Sequence, residues 1–513
     1  MDSLASPAPF AAGADVEMNM GLGEGNGSGN RKGIPGETGG KAKGVRVDEP
    51  PKFDLESYIS NYSGRTKFAR LYLIGACSTF LSVEALKMAV ADAKGGKDVN
   101  SYTDAVEALA RVAPQDPEAK LDAAWVDHTS KVVKAETDRL EHELKGYKNN
   151  LIKESIRMGN EDLGHHYHRI GDLPNASKAY SRMREYCTTT SHIASMLFKN
   201  INVAIDRGDW LGVQSSVQRL RNLQFKPEDE AKSKAKMFAA LGLSQLASSA
   251  YHSAAINFLS TDPVIADNYK EVISANDIAV YGGLCALASM DRADLQTHVL
   301  ENKSFRNFLE LEPHIRRAIS FFCASKFRLC LDILEAYRAD YLLDIHLQKH
   351  VPVLYSCIRT KAMQQYIIPY SRVTLDAMVT VFSPGQAASI KPNGGTIDLK
   401  SPFIVELIDM IQKGTLDARV DVEKGVLVTT QTNTRENVQA AVIQNVKEYV
   451  NTAHIQLLRM NILHAGLEVP AVGIEGDGGR GGGGMRTRAA VAEAAMRKGL
   501  SLGKASKGRK GKG

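Results

Sequence analysis

Three histidines crowd into four positions, with His165, His166 and His168 set around Tyr167. Imidazole is a frequent zinc ligand, and His165 and His168 would share one face of a helix. His166 and His168 form an H-x-H pair. Such a pair opens a catalytic metal site only where a serine and a carboxylate follow at fixed offsets. Those offsets hold Ala176 and Ala179, so the acidic ligand is missing, and the histidines are read as packing or surface residues. Other routes to chemistry close as quickly. The patterns HExxH, GxSxG and GxxxxGK[ST] do not occur. Gly21, Gly23, Gly25 and Gly27 imitate a phosphate loop, but no strand leads in and no helix leads out. Cys77, Cys187, Cys285, Cys323, Cys330 and Cys357 include no CxxC pair. Most lie among apolar residues at helical spacing, as buried reduced thiols of a cytosolic or nuclear protein do. No catalytic residue, cofactor or metal is expected. The function should lie in surfaces.

Those surfaces need elements to carry them. Residues 1–50 are Gly-, Ala-, Ser- and Pro-rich and cannot bury enough apolar area to offset chain entropy, so disorder is expected. The first residues lack a basic start followed by a long apolar stretch, so no secretory leader is expected. No run of about 18 apolar residues suggests a membrane span. The net charge of +6 is concentrated at the end: residues 471–513 hold ten Lys/Arg against three Asp/Glu. That tail is read as a solvated end or a weak contact for nuclear import or an acidic surface.

Between these ends the periodicity is helical. Residues 51–235 are read as N-terminal helices and tetratricopeptide-like repeats, with one long helix expected from Asp122 to Met158. Leu163, Gly164, Tyr167, Gly171, Ala176 and Tyr180 take the spacing of a tetratricopeptide helix pair. Gly164 permits close approach, Gly171-Asp172 makes the corner, and Ala176 and Tyr180 pack the second helix back. Gly208-Asp209 repeats the corner, and a third pair follows in MFAALGLSQLASSAYHSAAINFLS. One such pair cannot bury its own apolar face, so a stack is predicted. Helical repeats continue over 236–355.

The pattern changes over 356–430. Two helices precede a polar insert, GQAASIKPNGGTIDLK. A third, SPFIVELIDMIQKG, has Pro402 in its first turn and Gly414 after its end. LDARVDV then alternates, Glu423-Lys424-Gly425 turns, and VLVTT returns. Three helices followed by a two-stranded wing make a winged helix. Glu406 and Asp409 on its third helix face only Lys413, a poor match for phosphate, so nucleic-acid binding is not the favoured reading. A last helix over 431–470 carries an apolar stripe longer than its own module needs. The expected interaction residues are Phe403, Leu407, Ile411, Val420, Val422, Leu427 and Val428 on the winged helix and wing. On the last helix they are Val442, Val446, Tyr449, Leu457 and Met460.

A mostly α chain, with an α-solenoid of tetratricopeptide-like repeats running into a winged helix and a C-terminal helix, resembles the PCI-domain family. Its members are subunits of the proteasome lid, the signalosome and a translation-initiation factor. The segment FDLESYISNYSGRTKFARLYLIGACSTFLSVEALKMAV is similar to a signalosome member, IKESIRMGNEDLGHHYHRIGDLPNASKAYSRMREYCTTTSHI is similar to a segment shared by that member and its proteasome-lid paralogue, and LDARVDVEKGVLV is similar to the family's wing. The proteasome-lid paralogue is the alternative. The resemblance implies a PCI domain over 236–430 and a non-catalytic scaffold, with no cofactor. The implied partners are other PCI-domain subunits, a metalloprotease-type subunit that holds the catalysis, and cullin-RING ubiquitin ligases met by the N-terminal arm. The implied process is deneddylation, removal of a ubiquitin-like modifier from cullins, in nucleus and cytoplasm without a membrane.

Overall fold

The computed structural model describes residues 45–265, 269–383, 401–429 and 434–467. The expectations for the Gly-rich start, the insert over 385–400 and the basic tail lie outside the described residues, apart from residues 45–50. The chain divides into two compact units after Thr430.

The first unit begins with α1 (Leu55–Ser60), α2 (Gly64–Cys77), α3 (Ser82–Gly95) and α4 (Val99–Val112). The array continues with α5 (Ala123–Asn149), α6 (Lys153–Ile170), α7 (Leu173–Arg182), α8 (Thr190–Arg207), α9 (Trp210–Arg221), α10 (Pro227–Ala247), α11 (Tyr251–Leu259) and α12 (Ala275–Ser289). From α5 to α12 each helix packs on the next, the arrangement of a solenoid. The expected single helix from Asp122 to Met158 is two. Leu151 sits in the left-handed region at φ 55°, and this reversal lets α6 fold back along α5.

The corners follow their residues. Gly171 and Gly208 end α6 and α8 at φ 90° and 72°, conformations that cost a side-chain-bearing residue energy. The carboxylates of Asp172 and Asp209 then cap α7 and α9, accepting from the backbone N–H of Asn175 (3.2 Å) and Gly212 (3.0 Å). Leu163, Ala176 and Tyr180 are buried, and Tyr167 is half-buried with its hydroxyl donating to Glu141. The ring of Tyr180 lies against Gly164, where an added Cβ would meet its Cε1 at 2.4 Å. Gly242 and Phe258 repeat that contact one pair later, at 2.7 Å. Gly164→Ala should therefore destabilise the unit by about 1–3 kcal/mol, because the buried ring has nowhere to move. Gly146→Ala, with open space around it, should be neutral or stabilise by up to ~1 kcal/mol. Chemical denaturation of the two variants reads both signs.

The unit goes on through α13 (Lys303–Leu311), α14 (Pro313–Cys323), α15 (Phe327–Ala336), α16 (Arg338–Leu342), α17 (Val351–Ile367), β1 (Arg372–Thr374), α18 (Leu375–Phe382), α19 (Pro402–Gln412), β2 (Ala418–Asp421) and β3 (Val426–Thr429). The two-stranded wing is the β2–β3 hairpin, and β1, which was not expected, joins it in a three-stranded antiparallel sheet of order β1-β3-β2, with Val373 and Val420 flanking Leu427. β1 is three residues long, too short for alternation to announce it. One continuous apolar core runs from Ala176 to Leu427, so solenoid and winged helix are packed as one body. All six cysteines are unpaired. No described helix is long and apolar enough to cross a membrane.

Candidate docking surfaces

The winged helix is held by its own apolar residues. Phe403, Leu407 and Leu427 are at most 1 % exposed, and Ile411 and Val420 are half-buried against the same core. These were expected at an interface. Burial corrects Phe403, Leu407 and Leu427 to residues that build the module and present nothing to a partner. Val422 is exposed just past the end of β2, and Val428 is half-buried in the central strand. What remains available is backbone. β2 pairs with β3 on one side only, and its outer edge carries no strand among the described residues, a template for a further strand. Arg359 fixes the helices behind it, donating to Glu406 (2.8 Å), to the Phe382 carbonyl and to Ser383. Asp409 pairs with Lys413, so both carboxylates of α19 are offset by a cation.

The second unit is α20 (Thr434–His464), described by itself. Val442, Val446, Tyr449, Leu457 and Met460 are 55–76 % exposed. At 100° per residue they form one stripe with Val438 and Val450. Ile455, Leu458 and Ile462 are exposed too and lie on the opposite side. Sequence reasoning missed that second set, although its spacing of three and four residues was readable. A helix apolar on two opposite faces is one that other helices enclose.

The N-terminal helices show a further feature that periodicity did not reveal. Residues 47–119 close a second apolar core together with Ala339 and Leu343. Ser63 N–H donates to the Lys270 carbonyl, and Lys52 N–H to Asp340. The centre of the joint is Arg70, fully buried on α2, which reaches Asp277 at 2.8 Å and Asp344 at 2.5 Å. Tyr62 donates to Asp277 and Tyr281 to Asp344. Burial pushes the Asp277 carboxyl up to about 6 against the pull of Arg70. Burial also works to raise Asp344, but Arg70 and the surrounding donors outweigh it and hold that carboxyl below the usual range. A charged residue inside the apolar stretch FARLYLIG was the available signal.

His346 lies beside this joint, edge-on to Trp210 and Tyr281. Burial lowers its pKa to about 4. The folded state therefore prefers the neutral ring. The stability it contributes is complete above pH 6.5 and is lost as pH falls toward 4. The size is about 2–3 kcal/mol. Asp277, raised above the unfolded value, works oppositely over its own range, gaining stability as it protonates below pH 6. Melting curves from pH 7 to 4 should show His346→Phe losing less stability than the parent chain.

The histidine cluster is dispersed by the same geometry. The His165 ring is edge-on to Tyr180, His166 contacts the Thr137 hydroxyl at 2.8 Å, and His168 contacts Asp206 at 2.6 Å. Burial lowers the pKa of His165 and His166. Among the described residues no three His, Cys, Asp or Glu side chains converge for a metal.

Comparison with known proteins agrees with this architecture. Residues 122–298 match the 26S proteasome subunit RPN7 family, and residues 334–431 match the PCI domain. COP9 signalosome complex subunit 1 of Emericella nidulans is 66% identical over 84% of this chain and 86% of its own length. The chain belongs to the COP9 signalosome subunit 1 family. The Neurospora crassa protein of that name is 42% identical, over 79% of this chain and 89% of its own. The Arabidopsis thaliana one is 36% identical, over 83% and 93%. In this family member the solenoid, the sheet edge and α20 are thus placed on a PCI chain.

Proposed function

We propose that the chain is a non-catalytic scaffold subunit of a COP9 signalosome, and that its complex removes a ubiquitin-like modifier from cullins and so regulates cullin-RING ubiquitin ligases. The observation that carries the scaffold reading is α20, whose apolar residues lie exposed on opposite faces. The open edge of β2 supports it, since a strand of a neighbouring winged helix would satisfy that backbone. On this reading catalysis belongs to a metalloprotease-type subunit, and the histidines of this chain are spent on packing. The anchored N-terminal helices steady the base from which α5 to α9 reach a cullin-RING ligase, in nucleus and cytoplasm. The relatives named above favour the signalosome over the proteasome-lid alternative. The test is mass spectrometry of proteins that co-purify with a tagged chain from native cells. Signalosome subunits in equal amounts are expected. A chain recovered alone, or with proteasome-lid subunits, would overturn the reading.

A further inference from the structure

We propose that the groove between α8 and the start of α10 binds an acidic segment of a partner polypeptide, one carrying an apolar residue beside its carboxylates. The groove encloses about 250 Å³ and is walled by Phe198 and Phe225. Lys226, Lys232 and Lys236 line it. None of the three pairs with a carboxylate among the described residues. Lys236 is half-buried, with its ammonium 5.9 Å from the Phe198 ring centroid and 5.6 Å from that of Tyr269. The ammonium sits beside these rings, half removed from water, and burial lowers its pKa although the Glu271 carboxylate acts against that shift. Glu271 is the one carboxylate whose charge acts on Lys236, and it also accepts from the Asn202 amide. Asp229 is the single carboxylate among the described side chains of the lining, against three lysines. The exposed hydroxyls of Thr190, Ser191 and Ser195 stand along the first turns of α8, ready to donate. Cations for the carboxylates, hydroxyls for their remaining lone pairs and phenyl walls for the apolar neighbour together describe that peptide.

The surface is distinct from the β2 edge and α20, so its failure would leave the scaffold reading untouched. The experiment uses the full chain and a fluorescein-labelled Asp/Glu-rich peptide built around one phenylalanine. Saturable anisotropy is expected, weakening with salt. The double variant Lys226→Glu/Lys232→Glu changes only exposed side chains and should weaken binding at least about tenfold. Lys236→Met should weaken it several-fold while keeping the stem in place. Lys131→Glu/Lys134→Glu, on exposed positions of α5, should leave it unchanged. The proposal is overturned by absence of saturable binding or by an equal loss in the α5 control. Displacement of the peptide by an oligothymidylate or by inorganic phosphate at similar concentration would overturn it too.

Discussion

Arg70→Met should cost about 3–5 kcal/mol and release the N-terminal helices to protease. The side chain has no exposed surface, and its guanidinium is shared by Asp277 and Asp344, on segments far away in sequence. Removing it leaves two carboxylates facing each other in an apolar joint, each already held by tyrosine hydroxyls and backbone N–H groups that cannot supply charge. An uncompensated buried charge costs far more than a lost surface pair. The exposed pair Arg46–Asp48 is the internal comparison: Arg46→Met should change stability by less than about 0.5 kcal/mol. Adding Asp277→Asn and Asp344→Asn to Arg70→Met should recover part of the loss, because the triple variant buries no net charge. The readouts are denaturant unfolding and the rate at which protease nicks the chain between α4 and α5. An Arg70→Met protein as stable and as resistant as the parent would show that the joint is held by its apolar core alone.

The second large effect is expected on α20. Val446→Asp with Tyr449→Asp should leave a folded, soluble chain that no longer co-purifies with signalosome subunits. Both side chains are more than half exposed in the free chain, so their replacement removes little from its own stability. In an assembly each would contribute about 1.5–3 kcal/mol on burial, and each new carboxylate would add a desolvation penalty. The combined loss exceeds about 3 kcal/mol, a weakening of more than a hundredfold. Thr452→Gln, an exposed position between the two apolar faces, should leave co-purification intact. Unfolding of the double variant, or its normal recovery with partners, would remove α20 as the source of affinity.

Much of the architecture was legible in the chain. The Gly-Asp corners at 171–172 and 208–209 announced both the reversal and the cap, because each depends on two adjacent residues. Gly164 and Tyr180 were readable as a pair for the same reason: a fixed spacing within one helical hairpin. The stripe on α20 was legible because nothing else in the sequence explained it. Less could be read where contacts decide. Phe403, Leu407 and Leu427 are as apolar as Val442 or Tyr449, and composition alone could not separate core from interface. The third strand was too short for alternation, and Leu151 carries no residue-type signal for a left-handed turn.

By itself the sequence determined the helical repeats, their corners, the hairpin of the wing and the long apolar helix, since each rests on residues within a few turns of one another. Only the tertiary structure decided that the first four helices lock onto the later half of the unit, that Arg70 serves two aspartates, and that three lysines outnumber the carboxylates of one groove. Those facts join residues tens to hundreds of positions apart. Whether a charge is compensated or a strand edge open depends on everything that surrounds it in space, which local pattern does not encode.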